Sequence, residues 1–170
     1  WQISSEIYGT EEQTMSPNYY IMKLPGENGA EFVNSIPFTP KDKKNLTGLL
    51  VARNDGDNYG KLVLYQMPKS KIVYGPMQVE AQIDQNTEIS KEFSLWSSAG
   101  SSYSRGNMFV VPIEDSLLYI EPVYLEATNS SIPEVKRVIV AYGDQIAYEA
   151  TLADALNSLF GEGSAHESPG

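Results

Sequence analysis

Apolar positions in this chain come in short runs broken by polar turns. Two runs, Met108 to Ile113 and Leu117 to Leu125, are rich in β-branched and aromatic residues and flank Glu114-Asp115-Ser116, the pattern of a β-hairpin. Pro112 and Pro122 each lack a backbone donor, which places them at sheet edges, strand ends or bulges. The same grammar recurs twice. Leu46 to Arg53 reads as a strand whose partner is Lys61 to Tyr65, across the turn chemistry of Asn54-Asp55-Gly56-Asp57-Asn58. Val135 to Ala141 and Gln145 to Glu149 pair across Tyr142-Gly143-Asp144. Because turn solutions are few, hairpin grammar explains the likeness of these segments better than duplication does.

Upstream, Tyr19 to Leu24 reads as a strand closed by Pro25-Gly26, Glu31 to Phe38 as an extended piece, and Ile72-Val73-Tyr74 as a short strand. Residues 77–84 alternate as a strand would. Pro76 is preorganised for a first helical position, however, and Met, Gln, Glu and Ala favour helix, so the segment reads as helix. Thr87 is placed to cap a second helix with Ile89, Phe93 and Trp96 on its inner face, and Ser97 to Ser104 reads as a loop. The third helix is the plainest. Thr151 serves as its N-cap, Leu152, Ala155, Leu156, Leu159 and Phe160 form a stripe, and Gly161 supplies the stop.

These elements predict an α+β fold, with antiparallel β-hairpins forming a sheet or partly open barrel covered by two or three short helices, the last packed on the Met108–Leu125 hairpin. The expected organisation is an extended N-terminal arm over 1–16, docked by Trp1, Ile3, Ile7 and Tyr8, a single domain over 17–161, and a disordered tail over 162–170. A length of 170 residues at 41% hydrophobic suffices for one core. No apolar run reaches the length that crosses a bilayer. The start at Trp1 without Met is what a processed protein or a piece of a longer one would have.

Charge narrows the partners. Twelve basic against 22 acidic residues give a net −10, a field that repels phosphate backbones, so no nucleic-acid partner is expected. Lys41, Lys43 and Lys44 form the densest group of cations, with Lys69 and Lys71 further on, and read as solvated turns.

Chemistry is thin. With no cysteine and only His166 in the expected tail, thiolate and placed imidazole nucleophiles and metal sites built on Cys or His are close to excluded, and no cofactor is expected. Carboxylate work remains open to Asp55, Asp57, Glu114, Asp115, Glu121 and Asp144, but it needs two of them held at a defined separation in a cleft. The stretch from Asp55 begins like a calcium loop and then fails, with Tyr59 and Gln66 where oxygen ligands belong, so Asx-capped turns account for it better. Eleven Tyr could build a sugar-binding face, although most lie in strands where half-burial explains them.

Val73-Tyr74-Gly75-Pro76-Met77-Gln78-Val79-Glu80-Ala81, Leu95-Trp96, Arg105-Gly106-Asn107, Leu117 to Leu125, Lys136 to Gly143 and Thr151 to Gly161 together resemble the signature blocks of uncharacterised protein family 0182. Glu11-Glu12-Gln13 with Met15, and Leu24-Pro25-Gly26, extend the resemblance upstream. It implies a soluble extracytoplasmic part of a large bacterial multi-pass membrane protein, with no assigned activity and no catalytic residues to carry over. The expected role is non-catalytic binding or scaffolding at the cell membrane, with the remainder of its own membrane protein, or an envelope protein, peptide or glycan, as partner. The alternative is a hydrolase of envelope glycan or peptide working through paired carboxylates.

Overall fold

The computed structural model describes residues 1–8, 10–113, 116–126 and 132–161, so Glu114, Asp115, His166 and the segment 162–170 lie outside the described residues. The fold is α+β, with antiparallel sheets that do not close into a barrel and three short helices among the described residues. Two compact units divide it: Trp1–Glu80 with Val110–Leu118, and Ala81–Phe109 with the described residues from Tyr119 on.

In the first unit β1 (Gln2–Ile3), β5 (Ala30–Thr39), β6 (Gly48–Arg53) and β7 (Leu62–Gln66) form an antiparallel sheet in that order, with β4 (Asn18–Lys23) also on β5. Strands β2 (Ser5–Tyr8) and β3 (Glu11–Thr14) make a separate hairpin. Val33, Leu49 and Val51 are fully buried on one face of the larger sheet. Leu46, Leu49 and Leu50 also fit helix spacing, but residues 48–53 are strand because β5 and β7 satisfy their backbone on both sides. Residues 72–74 form no strand despite their β-branched character. Val73 O accepts from Leu46 N at 2.8 Å, but no strand ladder forms over these residues.

Helix α1 (Pro76–Asp84) opens with a reciprocal cap: Gly75 N donates to Gln78 Oε1 at 3.0 Å, and Gln78 N returns a bond to Gly75 O. Strand β9 (Phe109–Ile113) pairs with β10 (Ser116–Glu126), the hairpin that the apolar pattern predicted. In the first unit the Val110 carbonyl lies 3.0 Å from Tyr20 Oη and 3.3 Å from Ser35 Oγ, so two side chains satisfy it.

In the second unit β12 (Gln145–Glu149), β11 (Glu134–Tyr142), β10 and β8 (Ser102–Arg105) form a sheet in that order, with a bulge at Val123/Tyr124 directly after Pro122. Helix α2 (Thr87–Ser98) and β8 occupy most of the segment expected as a Ser-rich loop. The cap of α2 is Asn86, whose Oδ1 accepts from Ile89 N at 3.1 Å, and Thr87 is already helical. Helix α3 (Leu152–Phe160) starts as read: Thr151 Oγ1 accepts from Asp154 N at 3.1 Å, a cap that contributes about 1 kcal/mol. It packs chiefly against β11 and β12, whereas the apolar pattern placed it on the β9–β10 hairpin. The two-residue link Ala150-Thr151 leaves so short an element beside the strand that it follows.

Candidate functional site

The carboxylates singled out as acid–base candidates occupy separate roles. Asp55 Oδ2 accepts from Phe32 N at 2.7 Å. It thus replaces the backbone acceptor that β5 loses where the β5–β6 ladder ends at Val33↔Arg53, instead of capping its own turn as the Asx pattern suggested. Asp57 is exposed in the 3-10 turn Gly56–Asn58, and Asp144 is exposed at the tip of the β11–β12 hairpin, beside Gly143 at φ +60. Glu121 is buried on β10, where Oε2 takes a 2.9 Å bond from Arg105 Nε, and Arg105 Nη1 reaches Asp84 Oδ1 at 2.6 Å. Glu114 and Asp115 are outside the described residues. In the second unit Asp84, Phe93, Tyr103 and Arg105 line a cavity of about 490 Å³, and its charged groups are those already joined in that ion pair. Among the described residues no three acidic side chains gather as a metal would need.

The tyrosines divide between the units. Tyr119 and Tyr148 are buried, and Tyr65 and Tyr124 half-buried, which weighs against a sugar-binding row built from these four. Tyr148 Oη donates to Glu92 Oε1 at 2.8 Å, and the same oxygen pairs with Arg137 Nε at 2.7 Å. Burial first, then the Glu92 hydrogen bond, pushes the Tyr148 hydroxyl up. The Arg137 guanidinium lies 5.8 Å from the Tyr148 ring, which closes the cluster.

The feature that remains is an uncovered apolar face on the first unit's sheet. Directly opposed residues in antiparallel strands share a face. Register therefore aligns Ile21 with Phe32, Ile36 with Leu50 and Leu50 with Leu64, and Ala52 with Leu62. Tyr19 stacks on Phe32 at 5.9 Å; Ile21, Phe32, Leu62 and Leu64 are exposed, from 38% at Phe32 to 65% at Leu62, and Ile36, Leu50 and Ala52 are half-buried. Trp1 is also exposed and extends the row. Its ring sits 6.4 Å from Phe38 over Gly48, where an added Cβ would come within 2.9 Å of it. Glycine at 48 is what leaves room for the ring there. A monomer seldom leaves so continuous an apolar surface in water. Reasoning from the sequence missed this face, although Leu62-Val63-Leu64 and Tyr19 to Met22 hint at it by being apolar on both sides of the pleat.

The family model described as "Uncharacterised protein family (UPF0182)" matches residues 1–96. Relatives named UPF0182 protein match more widely: that of Pelotomaculum thermopropionicum is 54% identical over 164 residues, 96% of this chain and 18% of its own length. This chain belongs to the UPF0182 family. The Alkaliphilus metalliredigens member is 57% identical over 95% of this chain and 17% of its own length, and that of Methanospirillum hungatei 51% over 95% and 18%. The chain thus spans less than a fifth of each of these relatives. No solved structure matches it. Among the described residues of this UPF0182 chain no helix is long and apolar enough to cross a membrane.

Proposed function

We propose that this UPF0182 segment is a non-catalytic docking module, in which the apolar face of the β1–β5–β6–β7 sheet packs against another part of the same, longer protein. The observation that carries this reading is the apolar row in which Ile21, Phe32, Leu62 and Leu64 are exposed and Ile36 and Leu50 half-buried on an otherwise well-packed sheet. Relatives in which this segment makes up about 18% of the length supply ample chain to cover it. Burying a few such side chains at roughly 25 cal/mol per Å² stabilises an intramolecular contact strongly, because the partner is tethered. The setting proposed is the extracytoplasmic side of a cell membrane protein, and it rests on the family resemblance.

The test separates the segment from the rest. The 170-residue chain and the remainder of the full-length protein are purified apart and mixed, and association is followed by light scattering. Wild type is expected to associate, and Ile21→Glu with Leu64→Glu to remain monomeric at unchanged thermal stability. Association that survives both substitutions, or wild-type chain that never binds the remainder, ends the reading.

A further inference from the structure

A second feature of the first unit stands apart from the apolar face. Ser4 between β1 and β2, Ser5 at the start of β2, Thr39 at the end of β5, the turn over 40–44 and the start of α1 enclose a cavity of about 320 Å³, near the lower end of the roughly 300–1,000 Å³ of small-molecule pockets. We propose that this cavity binds a small zwitterion, one short molecule carrying both an ammonium and a carboxylate or phosphate.

Three observations converge. Ser4 is fully buried in the cavity wall. Its N–H donates to Pro37 O and its carbonyl accepts from Met15 N, both at 2.9 Å, yet its Oγ has no partner. A buried hydroxyl left unpaired costs about 1–3 kcal/mol, which a ligand reaching it would offset. At the start of α1, Gly75 N, Gln78 N and Val79 N are all engaged, while Met77 N, also in the wall, donates to no acceptor among the described residues. That leaves one helix N-terminal donor for an oxyanion.

Charge decides the ligand class. Lys43 and Lys44 line the cavity together with Glu12 and Asp42, and none of the four enters an ion pair found among the described residues. Two cations and two carboxylates leave the wall neutral, so a bare anion would meet no net attraction there and the repulsion of a chain at −10 outside. A zwitterion escapes that repulsion and satisfies both signs.

The walls are fixed before any ligand arrives. Gly75 lies so close to Lys44 that an added Cβ would stand 2.0 Å from its carbonyl oxygen. Lys43 N is bonded to Pro40 O at 3.1 Å, and Asp42 holds a left-handed φ of +59. The lysine turn and the helix start therefore form one preorganised rim.

A free amino acid and a zwitterionic lipid headgroup share this chemistry. The 170-residue chain, labelled with ¹⁵N, is titrated with L-alanine, glycerophosphoethanolamine, sodium acetate and inorganic phosphate, reading the Ser4 and Met77 amide resonances. Saturable shifts with L-alanine alone identify a free amino acid as the source, and shifts with glycerophosphoethanolamine a headgroup; either supports the site. Ser4→Ala is expected to weaken binding roughly tenfold without lowering the melting temperature, and Lys43→Ala with Lys44→Ala by at least as much, since each removes a hydrogen bond to the ligand. No shift with either zwitterion, an equal response to acetate or phosphate alone, or unchanged affinity in both variants overturns the proposal.

Discussion

Arg53 closes on both oxygens of Glu31, Nε to Oε1 at 2.6 Å and Nη2 to Oε2 at 2.7 Å, and both residues are buried at the end of the β5–β6 ladder. Glu27 adds a third bond at 3.1 Å from the side that water reaches. A bidentate fork of this kind has directional demands that lysine does not meet. Arg53→Lys is therefore expected to lower the melting temperature measurably. Arg53→Met should lower it further, because it strands the Glu31 carboxylate, and adding Glu31→Leu should recover part of the loss. Thermal unfolding of the three variants checks this; a double variant no better than Arg53→Met would mean that the pair, not the stranded charge, carries the stability.

Gly75 is expected to tolerate no side chain. Gly75→Ala would drive a Cβ into the Lys44 carbonyl, and backbone cannot rotate away as a side chain can. A loss of about 3 kcal/mol follows, from overpacking and from parting the 40–44 turn from α1. Urea unfolding measures it, and a neutral result would show that the turn moves freely.

Glu121→Gln tests the second unit in the same way. It keeps the shape and removes the charge that faces Arg105, which also pairs with the exposed Asp84. A destabilisation of about 3 kcal/mol is expected, at the lower end of the range for breaking a buried pair because Arg105 still reaches water. If Glu121 instead serves acid–base chemistry, stability would hold and only a reaction would be lost.

Alkaline pH should unfold the chain through its tyrosines. Burial, the leading cause, pushes the Tyr20 hydroxyl from 10.0 up to about 12, with Ser35 opposing more weakly, and burial raises Tyr119 and Tyr148 as well. The folded value lies above the unfolded one, so the folded state keeps a proton that the unfolded chain has lost. Stability is level below pH about 10 and falls as pH rises through the folded value, by about 1.4 kcal/mol per pH unit for each such tyrosine. Tyr20→Phe is expected to cost about 1 kcal/mol at neutral pH and to flatten this decline, as read by denaturant melts at stepped pH.

No cysteine lies in these 170 residues, so a thiol introduced into the segment is told from any elsewhere in the full-length protein by comparison with the unsubstituted protein. Asp57→Cys places one thiol in an exposed turn without disturbing a bond among those described. Labelling of intact cells by a membrane-impermeant maleimide is the expected outcome. Labelling only after lysis would put the segment on the cytoplasmic side.

Much of the fold was legible because its signals are local. Turn residues at Asn54–Asn58 and Gly143-Asp144 set two hairpins, and Thr151 with Gly161 bounded α3, since caps and tight turns depend on neighbours a few residues away. Residues 72–74 misled for the opposite reason: β-branched character favours a strand only where a partner strand exists, and Val73 has a single bond to Leu46. Asp55 misled likewise, its natural partner in sequence being its own turn and its actual one Phe32, far upstream.

From its letters alone the chain dictated which segments extend, where they turn and how its third helix begins and ends, because hydrophobic period, glycine, proline and capping side chains act over a few residues. Only the tertiary structure decided which face of the first sheet lies open, that Glu121 is held by Arg105, and that the Ser4 hydroxyl is buried unpaired in the wall of a cavity that two lysines also line. Those are facts of strand register and of which distant segments meet, and a pattern read along one chain contains neither.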